Sequence, residues 1–187
     1  RHALGRHQVE IHRHVDERLL ADYPSDPRRW DAVLAMFTAQ RAFEGADAEA
    51  RRTAWEKRCG EFRAMVMAAT DAPESVVGTV LYVDTIRAVR SRDAAPDMER
   101  AAQNVGFLAT HVPAAKNRGM VESLYLDALR RTDAAAADHR LQQLAADSNP
   151  AVADMARLKL GALALNSAPV ELKFPDLDGR EIDLAKY

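Results

Sequence analysis

Residues 48–70, AEARRTAWEKRCGEFRAMVMAAT, decide how this chain folds. Trp55, Cys59, Phe62, Val66 and Ala69 recur in it at alternating steps of four and three. That rhythm lines all five along one face of a helix and predicts a helix from about Ala48 to Thr70, packed on a core. Cys59 sits in the middle of the stripe. It therefore reads as a small buried core residue, not as a nucleophile or a mixed-disulfide partner.

The same rhythm extends in both directions. Upstream, Val9, Val15, Leu19 and Leu20 predict a helix that Pro24 ends. Ser25 or Asp26 then offers a cap and Pro27 suits a first helical position, with Trp30, Val33, Leu34 and Phe37 on one face and Gly45 as the stop. Downstream, Asp71 is the candidate cap and Pro73 lies in the first turn of a helix through Val76, Val77, Val80, Leu81 and Ile86. A strand over Val76–Val83 competes because valine is β-branched. Length and the proline-led start favour the helix. A further helix buries Met98, Ala102, Val105 and Leu108 or Ala109 and breaks at Pro113. Another runs through Val121, Leu124, Tyr125, Ala128 and Leu129. Two more meet at DSNP, where Asn149 caps and Pro150 begins a helix burying Val152, Met155, Leu158 and Leu163.

The expected fold class is mainly α: seven or eight helices in an antiparallel helical array with TPR/HEAT-like packing, closed by a C-terminal β-hairpin. No repeated signature names a repeat class. Composition agrees. Of 187 residues, 48% are apolar, 29% charged and only 6% aromatic, in an alanine-rich background that favours helices. Twenty-six basic residues face 28 acidic ones, so a net charge of −2 gives no reason to expect nucleic acid as a partner. No stretch approaches the ~20 apolar residues of a membrane span. A single cysteine cannot form an internal disulfide and says nothing about redox compartment.

The rhythm changes after Asn166. In SAPVELKFPDLDGREIDLAKY, residues 167–187, Val170, Leu172 and Phe174 alternate with Glu171 and Lys173. This is the two-residue beat of a half-buried strand. Asp178-Gly179 suits a tight turn, and Ile182 and Leu184 alternate in a second strand. Leu172, Phe174, Leu177, Asp178, Gly179, Arg180, Ile182 and Leu184 resemble the opening hairpin of redoxin domains of the TlpA-like branch of the thioredoxin superfamily. The preceding DSNPAVADMARLKLGAL is similar to the last helix of the helical region found before the redoxin domain in some members.

The resemblance implies two units: an all-helical N-terminal domain over residues 1–166, and a hairpin over 167–187 that begins a truncated thioredoxin-like domain. It implies a bacterial protein of the periplasm or cell envelope. The parent would be a thiol-disulfide oxidoreductase whose Cys-x-x-Cys motif lies outside these residues. No catalytic, cofactor-binding or metal-binding residue is carried over, no cofactor is implied, and this chain alone is expected to be inactive. The helical module would position its own C-terminal redoxin domain, bind a protein partner or substrate, or form a homodimer. The alternative is a stand-alone helical protein-interaction scaffold with no redox role.

Other groupings read as structure. His7, Glu10, His12 and His14 cluster in HQVEIHRH, a His-and-carboxylate set of the kind that holds zinc. The two histidines four apart with an intervening glutamate that zinc proteases use are missing, and a solvated helix face is the better reading. DLDGREIDLA fails as a calcium loop, because aligning Gly179 with the loop glycine puts Phe174 and Ala185 at the terminal ligand positions. His111 and His139 stand singly.

Overall fold

The structure is a computed structural model and describes residues 17–39, 43–90, 95–167, 173–175 and 181–183. Residues 17–22 form helix α1 within that range. Seven helices follow: α2 (Arg29–Thr38), α3 (Ala48–Ala68), α4 (Glu74–Val89), α5 (Met98–His111), α6 (Arg118–Thr132), α7 (Ala134–Leu144) and α8 (Pro150–Ser167). The chain is mainly helical, as the apolar periodicity requires. Lys173–Pro175 and Glu181–Asp183 pair antiparallel, with Phe174 opposite Ile182. The expected Asp178-Gly179 turn and most of the residues that carry the redoxin resemblance lie outside the described residues, as do His7, Glu10, His12 and His14.

Helices pack in a zigzag. The even-numbered helices form one row, α2 on α4, α4 on α6 and α6 on α8. The odd-numbered ones fill the second row: α3 touches α2 and α4, α5 touches α4 and α6, and α7 touches α6 and α8. Helices α4 and α5 run antiparallel. Ala88 O accepts from Asp97 N at 2.9 Å near the α4–α5 connection, while Thr85 pairs with Asn104 further along both helices. The even row is closely spaced where α6 meets α8. A Cβ built on Gly119 would lie 3.2 Å from the Ala151 carbonyl oxygen, so glycine permits that approach.

Three apolar clusters make the core. The largest joins Trp30, Val33, Phe37, Phe62, Val66, Val80, Leu81, Leu108 and Val121, and so spans α2 to α6. A second, centred on Leu126, Leu141 and Val152, joins α6, α7 and α8. A small third, with Ala88, Val89, Ala101 and Ala128, fills the space between α4, α5 and α6. The stripe in α3 is realised: Cys59, Phe62 and Val66 are buried, with Trp55 and Ala69 packed against them.

Local chemistry moves several boundaries. Helix α2 begins at Arg29, not at Pro27, because the Asp26 carboxylate accepts from Arg28 N at 2.9 Å and closes a turn first. It ends at Thr38, well before Gly45, whose positive φ of 88° serves the turn entering α3. Asp71 does not cap α4. It pairs with Arg29 at 2.5 Å, and Pro73 takes the cap position with its carbonyl accepting from Val76 N and Val77 N. In α5 the buried alanine is Ala101; Ala102 is exposed. Asn149 caps α8 as expected, accepting from Ala151 N at 3.0 Å. Leu158, expected in the core, is 75% exposed, because α7 and α6 cover only the α8 face carrying Val152, Ala153 and Ala156.

Candidate functional site

Polar groups converge at the α3–α4–α5 junction. Helix α4 is apolar almost all round, yet it carries Asp84, which is fully buried. A lone buried carboxylate would cost several kcal/mol, so it has to be paired and hydrogen-bonded. The pairing is extensive. Arg100 Nε donates to Asp84 Oδ2 at 2.9 Å while its Nη2 reaches Oδ1, a bidentate fork. Asn104 Nδ2 donates to the same Oδ2 at 2.9 Å, and Arg63 Nε lies 3.2 Å from it. Arg63 Nε also donates to Asn104 Oδ1 at 2.8 Å, and Asn104 Nδ2 lies 3.1 Å from Thr85 Oγ1. Thr85 in turn donates back to Leu81 O at 2.7 Å. Asp97, the α5 cap, adds a second negative charge facing the two guanidiniums.

The electrostatics follow from this arrangement. The hydrogen bond to Asp84 raises the Arg100 pKa above its ordinary value. Burial lowers that of Arg63, with Asp84 acting in the opposite sense. Both groups stay cationic. Two guanidiniums are matched by two carboxylates, and every acceptor of Asp84 is engaged. A saturated cluster of this kind locks α3 and α5 onto α4.

Two further buried pairs do the same work along the array. Glu122 of α6, 1% exposed, takes a fork from Arg140 of α7, with Nε to Oε2 and Nη2 to Oε1 both at 3.0 Å. Arg118 of α6 donates through Nη1 to Asp147 Oδ1 at 2.9 Å and to Pro113 O at 3.3 Å, tying the α7–α8 connection to the α5–α6 one. Burial would raise the Asp147 pKa, but the Arg118 guanidinium and the Asn149 N–H outweigh it and hold the carboxyl below its usual range.

Glu122 behaves oppositely. Its burial raises the pKa despite Arg140 and Arg118. A raised folded-state pKa means that the native protein binds the proton more tightly than the unfolded chain. The stability this gives is complete below the ordinary glutamate value of about 4.3 and is lost as pH rises through the folded value. Glu122→Gln removes the titration. The variant is therefore expected to gain on the native protein as pH climbs from about 4.3 toward neutrality. Urea midpoints measured at half-unit pH steps check this; a difference that stays flat or shrinks with rising pH contradicts it.

Cys59 is 2% exposed and lies close enough to Arg100 to influence it electrostatically. It also borders a cleft of about 740 Å³ between the C-terminal ends of α2 and α4, the flank of α3 and the start of α5. His111 is exposed, with its ring stacked on Phe107 at 4.2 Å and Nδ1 2.7 Å from Thr110 Oγ1. His139 is exposed on α7. No group of three or more metal-ligating side chains forms among the described residues.

Sequence reasoning singled out Cys59 and the histidines and missed Asp84, Asn104, Arg118 and Glu122. One signal was present. A single carboxylate inside VVGTVLYVDTIRAV, a helix with apolar residues on every side, has to face a partner. The partner's identity is not in the local sequence, because Arg63 and Arg100 lie on other helices. Among the described residues, no helix is long and apolar enough to cross a membrane. Comparison with protein-family models, with curated proteins and with solved structures returned no match for this chain.

Proposed function

We propose that this chain is the helical N-terminal module of a bacterial TlpA-like thiol-disulfide oxidoreductase, acting in the periplasm or cell envelope. The module positions the redoxin domain or binds its protein partner. The observation that carries the reading is the change of beat after Asn166, where Leu172, Phe174, Asp178-Gly179-Arg180, Ile182 and Leu184 follow the pattern of a redoxin opening hairpin. The architecture of the described residues suits such a role. A zigzag of helices pinned at three places by buried ion pairs would make a stiff spacer. Its last helix presents Leu158 and Leu165, 75% and 76% exposed, on the side away from α7. Those leucines also favour the second reading, a stand-alone interaction scaffold.

The reading frame of the parent gene separates the two. The redoxin reading requires a Gly-Lys turn, an apolar strand and a Cys-x-x-Cys pair within about 25 residues after Tyr187, the span of a turn and two strands. Their absence rules it out. In an insulin-reduction assay the longer protein is expected to turn over and this chain alone to give a blank. Turnover by the chain alone would overturn the assignment of the chemistry to the redoxin domain.

A further inference from the structure

We draw no further inference here: the strongest candidate, the exposed apolar stripe of Leu158, Gly161, Ala162 and Leu165 along the outer face of α8, carries none because nothing in the structure shows what covers it.

Discussion

Asp84→Ala is expected to destabilise the fold by about 3–5 kcal/mol, the cost of breaking a buried ion pair by removing one partner. The loss comes less from the missing attraction than from what is left behind. Arg63 is 16% exposed and Arg100 32%, so both guanidiniums would stay partly desolvated with only Asp97 to balance them. Asn104 Nδ2, buried, would lose its short contact with Asp84 and keep only the 3.1 Å approach to Thr85. A domain of ordinary stability has about 5–15 kcal/mol in total, so the variant would sit near its threshold. Asp84→Asn, which keeps an acceptor and the shape, should lose less. As a control, removing Asp154 from its 69%-exposed pair with Arg157 should change stability by under ~1 kcal/mol. Urea unfolding of the three variants measures this. A loss below about 1 kcal/mol for Asp84→Ala would mean that the cluster is solvated in solution and does not lock the helices.

Phe62→Ala should cost a comparable amount, about 3–5 kcal/mol, by the transfer of a ring and the cavity it leaves. Phe62 is fully buried in α3, where the largest apolar cluster meets α2 and α4, and Arg58 covers its ring at 4.5 Å. The damage should be uneven along the chain. Packing passes only between near neighbours in the zigzag, and α7 and α8 close a separate cluster around Leu141 and Val152. Amide hydrogen exchange is expected to show α2 and α3 losing protection while α7 and α8 keep theirs. Uniform loss across all helices would show instead that the array unfolds as one cooperative unit.

Between sequence and structure, the agreement is best where one helix face has one job. The α3 stripe from Trp55 to Val66 and the Asn149-Pro150 start of α8 were legible because spacing and capping are local. Legibility fails where a residue's role depends on what arrives from elsewhere. Asp71 has the chemistry of a cap but is drawn to Arg29, and Asp26 closes a turn with Arg28 before its helix can start. Leu158 has the spacing of a core residue, yet no described element covers that side of α8. The cleft beside Cys59 was not legible at all, because Phe43, Trp55 and Ile86, which line it, come from three separate segments.

What the sequence determined by itself is the helical class, the order and approximate extent of the helices, and the change of rhythm after Asn166. Each follows from backbone propensity and apolar spacing within about 20 residues. Tertiary structure alone decided which polar residues are buried and with whom: Asp84 with Arg63 and Arg100, Glu122 with Arg140, Arg118 with Asp147. The physical reason is that a buried charge is tolerated only through partners fixed in three dimensions, and those partners lie between 16 and 29 residues away or on a helix packed alongside.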